Sequence, residues 1–482
     1  MRLRNGGFVI GAAILASAGV LSAAPETVDI GSRRELFVDR HLVDRLDGAA
    51  LVLQRPVDRG PVLRFDAPWE GAFCAYVTVI RDGDFYRAYY RGRRKDRKGG
   101  DATEEVTCVA ESKDGIAWTK PALGLHEIDG SRSNNVMLTD LPNFTHNFSP
   151  FLDARPGVPA DERYKAVAGT LKSGLCGFAS ADGLRWRRFS EAPIATADAF
   201  AFDSQNVACW SEAEGRYVCW FRTSSDKIRR ISRTDSPDFR TWSAPVRMEY
   251  AGGPVEQFYT NQTAPYFRAP HLMISLAARF MPGRRAITAE EERAIGVDPK
   301  YAGDCSDAVL MTSRGGAVYD RTFPEGFLRP GVGPENWVSR TNYPALGVVP
   351  TGPAEMSFFV NQNYGQPTSH LRRYALRTDG FASVRAGASG GELITKPLTF
   401  AGTGLYLNFA TSAAGSIRTE IQDAAGKAIP GFALEDSVEF VGNAIDRRAA
   451  WRAGADVGTL AGRPVRLRFV LTDADLYAVQ FR

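Results

Sequence analysis

Histidine is scarce in this chain: His41, His126, His146, His271 and His370 are the five in 482 residues, and no His-Glu-x-x-His segment occurs. That excludes the helix-borne zinc site of that type. The six cysteines contain no Cys-x-x-Cys pair, which argues against thiolate metal binding. There is neither a Gly-x-Ser-x-Gly elbow nor a glycine-rich phosphate loop, so the common serine-nucleophile and nucleotide-binding signatures are missing. No cofactor follows from the residues, and nothing in the sequence demands a calcium ion.

Net charge is also small. The formal +4 falls to about +2 once Arg2 and Arg4 leave with an N-terminal leader, too weak a balance for a nucleic-acid binder. The only long apolar run, Phe8 to Leu21, follows Arg2 and Arg4 and precedes Ser22-Ala23-Ala24. This is the order of a secretory signal peptide over 1–24, and the run is shorter than the roughly 20 residues of a membrane span. Export to a secreted or periplasmic location, with no span left after cleavage, is the expectation. Positive charge concentrates at Arg91-Gly-Arg-Arg-Lys-Asp-Arg-Lys98. This stretch reads as a solvated loop or as a collar attracting an anionic, uronate- or sulfate-bearing glycan.

What the chain has instead is repetition. Ser112-Lys-Asp-Gly-Ile-Ala-Trp118 returns as Ser180-Ala-Asp-Gly-Leu-Arg-Trp186, then in degraded form at Ser236-Pro-Asp-Phe-Arg-Thr-Trp242, Ser313-Arg-Gly-Gly316 and Arg377-Thr-Asp-Gly-Phe381. The full copies follow apolar runs such as Val106-Thr-Cys-Val-Ala110. Five such units predict an all-β chain: a five-bladed β-propeller over 25–389 after the 1–24 leader. Beyond about Gly390 the repeat stops. Alternation in Leu405–Ala410, Ile417–Ile421, Val465–Val470 and Leu476–Phe481 predicts a small β-sandwich over 390–482. The repeat turns belong on the far rim, their Asp closing the turn through backbone N–H groups and their Trp packing between sheets. Cys108 and Cys176 fall at equivalent repeat positions and read as small buried residues. Cys209 and Cys219 are symmetric about the turn Ser211-Glu-Ala-Glu-Gly215, which would set them opposite each other for a cross-strand disulfide.

In a propeller the starts of the innermost strands and the ends of the second strands meet at one mouth. That rule gathers Trp69, Glu70, His146, Asn147, Asp203, Asn206, Glu256, Tyr259, Asn261 and Arg340, joined by Arg91, Arg222, Arg279, Asn361, Tyr364 and the returning Asp304 and Asp307. Amides, charges and aromatic faces around a funnel suit a polyhydroxylated ligand. Glycoside cleavage needs one carboxyl to protonate the leaving oxygen and another as nucleophile or base. Glu256 is the expected acid, Asp203 the base or nucleophile, and Glu70 the residue that orients the sugar. Trp69, His146, Asn147, Asn206, Arg222, Tyr259, Asn261, Arg279, Asp307 and Arg340 are the expected substrate contacts.

The Ser112 to Leu125 stretch, the five units and the trailing alternation resemble the β-fructosidase superfamily of glycoside hydrolase families 32 and 43. The resemblance implies a five-bladed propeller with a C-terminal sandwich and central carboxylates, acting on poly- or oligosaccharide; a closed funnel admits such a chain by its end. Trp69-Glu70 stands where that family begins its first blade, and Asp203 near its third-blade acid. The family's Asn-Asp-Pro, Arg-Asp-Pro and Glu-Cys-Pro segments are not present, so fructan specificity does not carry over. A second resemblance, to sialidases through their Asp-box turns, implies a carboxylate-gripping trio of Arg222, Arg279 and Arg340 with Tyr259 or Tyr343 as nucleophile. A glycan-binding propeller without catalysis is the alternative of a different class.

Overall fold

The computed structural model describes residues 27–93, 105–197, 201–225, 227–254 and 256–482. The expected leader over 1–24 and residues 94–98 of the basic run lie outside the described residues. Arg91, at the head of that run, is no solvated loop residue: it lies within a buried strand and is 5% exposed.

The chain is nearly all-β, a β-propeller joined to a β-sandwich. Each propeller unit is an antiparallel meander, as in Ala75–Asp82, Phe85–Arg93, Glu105–Ser112 and Val136–Leu138. The innermost strands Ala75–Asp82, Ser149–Leu152, Val207–Ser211, Thr263–Tyr266 and Tyr343–Pro350 stand side by side, each beside the next and the last beside the first. The ring closes where Leu346 pairs in parallel with Thr78. Gly347 permits this approach, since its φ is +110° and a Cβ there would lie 2.2 Å from Val79 O. The outer edge of the last meander is completed by the early strand Val57–Arg64, which pairs with His370–Arg377. Beginning and end of the ring are thereby stitched together.

Two buried amides plug the channel. Gln205 Nε2 donates to Thr78 Oγ1 at 2.8 Å, to Val77 O at 3.2 Å and to Ser149 Oγ at 3.3 Å. Gln262 Nε2 donates to Gln205 Oε1 and to Pro344 O, both at 2.7 Å. One amide pair, from residues just before the third and fourth inner strands, thus bonds to the first, second and fifth. Gln205→Leu leaves several of these groups without partners in a dry core, and a loss of about 1–3 kcal/mol is expected for such unmet bonding. Denaturant unfolding measures it; an unchanged midpoint would show that the plug does not hold the ring.

The repeat turns behave as their chemistry predicts. Asp114 Oδ1 accepts from the N–H groups of Ile116 and Ala117 at 2.8 and 2.9 Å. Asp182 does the same for Leu184 and Arg185, and Asp238 for Arg240 and Thr241. Trp186 packs edge-on against Phe148, and Trp118 against Phe359 of the last unit. The two most degraded copies have another task. Arg314 leaves its turn to bind Glu35 at 2.7 Å and Asp39 at 3.0 Å, and Asp379 binds Arg34 at 3.2 Å and Arg268 at 3.0 Å. Both turns place a side chain in contact with the second unit.

That second unit differs from the expected 390–482. Strands Val28–Gly31, Arg34–Leu36, Val43–Asp47 and Ala49–Leu53 were grouped by sequence with the propeller. They pair instead with C-terminal strands, through Val28↔Leu398, Arg34↔Gln480, Ile394↔Arg45 and Val384↔Leu51. Both ends of the described chain thus share one core, which includes Ile30, Phe37, Leu393, Phe409, Trp451 and Phe469. The four predicted C-terminal strands are two long ones, Leu405–Asp423 and Val465–Phe481, each continuing through the polar interruption by a shift of register between Thr411 and Ser416.

All six cysteines are buried and free. Cys209 pairs with Val218 and Cys219 with Ala208, so the two thiols point to opposite faces of the sheet, into different cores. This is a one-residue offset from the expected register, and it rules out the bridge.

Glu35 makes the seam between the units pH-sensitive. Burial pushes its carboxyl up, but the hydrogen bond with His271 and the charge of Arg314 outweigh this, bringing it from 4.5 to about 2. A depressed folded value means that its contribution, roughly 3 kcal/mol, is complete above the ordinary carboxyl value and lost as pH falls toward about 2. The thermal midpoints of the parent and Glu35→Gln should therefore differ near neutrality and converge in acid. A gap constant with pH would refute the assignment.

Candidate active site

Backbone strain collects where the chain enters the ring. Tyr76, Phe202 and Arg340 hold φ of +56°, +64° and +60°, a left-handed conformation that costs non-glycine residues about 1–3 kcal/mol and gathers at functional sites. Phe202 directly precedes Asp203, whose side chain is 63% exposed at the mouth.

Asp203 is held by cations from two units. His146 Nε2 donates to its Oδ1 at 3.2 Å, and Arg222 Nη2 to its Oδ2 at 3.0 Å. Behind His146, Nδ1 lies 2.8 Å from Glu105 Oε2, and Arg91 Nη1 lies 3.5 Å from Glu105 Oε1. Charge thus alternates along Arg91, Glu105, His146, Asp203 and Arg222. Partial burial pushes the Asp203 carboxyl up, but the His146 hydrogen bond and the Arg222 charge overcome it and hold it well below the carboxylate range. Burial likewise pushes Glu105 up, and Arg91 and His146 bring it down. For His146 burial lowers the value, yet hydrogen bonds to Asp203 and Glu105 raise it above the ordinary 6.5. The centre thus brings a carboxylate, an imidazole whose protonated form is favoured, and a guanidinium into contact.

Aromatic rings wall this centre. Arg222, Arg229 and Arg340 lie 4.9, 5.2 and 5.3 Å from the centroid of the Tyr259 ring. Tyr76 meets the His146 ring edge-on and carries Arg91 at 4.7 Å. Arg340 also covers Tyr301 at 4.8 Å and Tyr364 at 5.7 Å.

Of the residues expected at the mouth, Asp203, His146, Arg222, Tyr259, Arg340, Arg91 and Tyr364 come together. Glu70, Trp69, Asn147, Asn206, Asn261, Glu256, Arg279 and Asp307 do not. Glu70 is fully buried: its carboxylate accepts from Tyr90 Oη and Lys120 Nζ, each at 2.6 Å, and from Ala67 N at 3.0 Å. It anchors the first unit and does not reach a ligand. Trp69 Nε1 donates to Asn135 Oδ1 at 2.7 Å and packs on the same core. Asn147 and Asn206 are completely buried and donate to the carbonyls of Phe202 and Ser204, fixing the turn that presents Asp203. Buried Asn261 accepts from Thr263 N. The side chains of these amides look inward because the backbone at a ring entry has carbonyls that only they can satisfy.

Glu256, the expected acid, has both oxygens occupied: Arg279 Nη1 donates to one at 2.8 Å and Arg321 Nη1 to the other at 2.6 Å. Arg279 in turn forks onto Asp307 at 2.8 and 2.6 Å. Glu256, Arg279 and Asp307 are a closed ion-pair network of the fourth unit. The expected trio of Arg222, Arg279 and Arg340 is broken with it.

The sequence reading missed Glu105, Tyr76 and Arg229. Glu105 begins the third strand of the first unit, and loops between second and third strands face the mouth, so the topological rule already in use points to it. The same rule points to Arg229, at the start of the third unit's third strand, and to Tyr76, at the start of the first inner strand; their left-handed turn and ring contacts are not written in residue type. Among the described residues no group of three or more His, Cys, Asp or Glu is placed to hold a metal, and no helix is long and apolar enough to cross a membrane.

No protein-family model matches the chain, and no curated protein matches it. Solved structures similar to it include a glycoside hydrolase family 43 arabinoxylan arabinofuranohydrolase from Bacillus subtilis, with 12% identity, a TM-score of 0.39, and coverage of 86% of this chain and 96% of that one. A beta-1,2-mannobiose phosphorylase from Listeria innocua has 10% identity and a TM-score of 0.43, over 68% of this chain and 97% of its own. An N-acetylgalactosamine deacetylase from F. plautii has 13% identity and a TM-score of 0.42, over 69% and 96%. These are distant likenesses.

Proposed function

We propose that this chain is an exported glycoside hydrolase, a five-bladed propeller with a sandwich, that cleaves a poly- or oligosaccharide from its end at the mouth centred on Asp203. The observation that carries this reading is the exposed Asp203 carboxylate, kept anionic by His146 and Arg222 and walled by tyrosine rings. A closed funnel admits a chain terminus more readily than a continuous strand, and aromatic faces suit the C–H faces of sugars. Asp203 is the nucleophile, or the base for water. His146 replaces Glu256 as the proton donor: its protonated form is favoured, and its Nε2–H, held on Asp203 in the free enzyme, would turn to the leaving oxygen as Asp203 engages the sugar or water.

Binding without cleavage is the second reading, favoured by one observation: Glu70 and Glu256 are both held in ion pairs, leaving Asp203 as the open carboxyl among the three expected. Hydrolysis of a panel of aryl glycosides and natural glycans by the mature chain, beside Asp203→Asn, separates the two. Sugar release by the parent and not by the variant supports hydrolysis. Glycan binding with no release across the panel would replace it with recognition.

A further inference from the structure

Three residues beside the Tyr259 ring carry buried polar atoms without a partner. Arg222 is 7% exposed, and while one terminal nitrogen reaches Asp203, its Nη1 is buried without a hydrogen-bond partner. Arg340 Nε is buried in the same condition, and among the described residues its guanidinium meets no carboxylate, only the rings of Tyr259, Tyr301 and Tyr364. The Tyr343 ring lies 5.3 Å from that of Tyr259, and its buried hydroxyl is unpartnered. Asn361, its cross-strand partner, leaves both amide atoms unmet.

Buried donors without acceptors are costly, and native proteins leave few of them. Donors from two guanidiniums and a phenol around one ring, with the amide across the strand from that phenol, describe a site for a group with several acceptor oxygens. Charge narrows its chemistry. Asp203 is shared between His146 and Arg222, so Arg340, which lies over three tyrosine rings with its Nε unpartnered, is the cation left for a ligand.

We propose that the mouth binds an oxyanion between Arg222 and Arg340, carried by the sugar as a carboxylate or ester or supplied as a free phosphate- or sulfate-type ion. The sugar-borne form rests on the carbohydrate reading above; the free form does not.

Calorimetric titration of the full mature chain with glucuronate and galacturonate, glucose and galactose, and inorganic phosphate and sulfate tests this. Charge-assisted bonds of this kind predict that the uronates bind about ten- to a hundred-fold tighter than their neutral parents. That gap should close in Arg340→Gln, with folding followed by circular dichroism. If the variant does not fold, shrinkage of the gap for the parent protein as salt rises takes its place. Phosphate or sulfate displacing a uronate, or binding alone in an Arg340-dependent way, assigns the free-ion form. Equal affinity for charged and neutral sugars overturns the oxyanion site and leaves the carbohydrate reading standing. Anion binding with no sugar binding does the reverse. A uronate preference untouched by Arg340→Gln overturns the assignment, and silence from every probe overturns both.

Discussion

Asp203→Asn should lower kcat/KM by about 10²–10⁴-fold, the range associated with losing a positioned proton-transfer group or nucleophile. The amide matches the carboxylate in shape and keeps an oxygen for Arg222 or His146, but it carries no charge with which to attack a sugar or take a proton from water. Folding should survive. The side chain is 63% exposed, and exposed ion pairs contribute about 0–1 kcal/mol, so the unfolding midpoint should move little.

The variant has a second readout in its pH profile. In the parent, the imidazolium of His146 is stabilised by Asp203 and Glu105 and persists above 6.5. Activity that needs this proton is present below the raised value and falls as pH climbs through it. Removing one of the two carboxylates lowers that value, so any residual activity should lose its alkaline limb at lower pH. A variant with parental rate and an unmoved limb would place the chemistry elsewhere.

The largest stability effect is expected at Asp153. Lys165 and Asp153 are both completely buried, with Lys165 Nζ 2.6 Å from Asp153 Oδ2. Tyr217 of the neighbouring unit donates its hydroxyl to the same oxygen at 2.6 Å, and the ammonium lies 5.4 to 5.8 Å from the rings of Phe189, Tyr217 and Phe239. Asp153→Ala leaves Lys165 with the Glu162 carbonyl at 3.2 Å and its carboxylate at 3.6 Å. Breaking one side of a buried pair typically costs about 3–5 kcal/mol. The double variant Asp153→Leu with Lys165→Met should recover much of that loss, because no buried charge remains unpaired.

This pair also links stability to the mouth. Asp153 belongs to the second unit and Tyr217 to the third, the same two that supply His146 and Asp203. Loosening their junction should therefore reduce activity beyond the fraction unfolded. Urea unfolding beside rates measured well below the midpoint tests both effects. A loss under about 1 kcal/mol would mean that the ammonium escapes to water.

Much of the architecture was legible because it repeats. In Ser-x-Asp-Gly-x-x-Trp the Asp caps its own turn, so that contact lies within the motif, while the Trp packs on rings from elsewhere, Trp118 on Phe359 and Trp186 on Phe148. The copies at Ser112, Ser180 and Ser236 gave the periodicity, and hairpin alternation placed the inner strands. Asp203 and His146 followed from strand position alone. Local rules failed where one residue type serves two ends. Glu70, Glu256 and Asp203 are alike in sequence, each a carboxylate among polar and aromatic neighbours. What separates them is the cation each meets: Lys120 from 50 residues away, Arg279 and Arg321 from the same unit, or His146 and Arg222 at an open rim.

By itself, then, the sequence determined the all-β class, the meandering units and the turn chemistry, since these rest on contacts within a few residues. Tertiary structure decided the rest. It drew the first strands across to the C-terminal unit, where an apolar edge from each end of the described chain completes one core. It set Cys209 and Cys219 on opposite faces through a one-residue offset, and it sealed two carboxylates while leaving Asp203 open. Those outcomes depend on which distant charge or strand edge arrives first at a buried group that cannot stay unpaired, and no local pattern encodes that arrival.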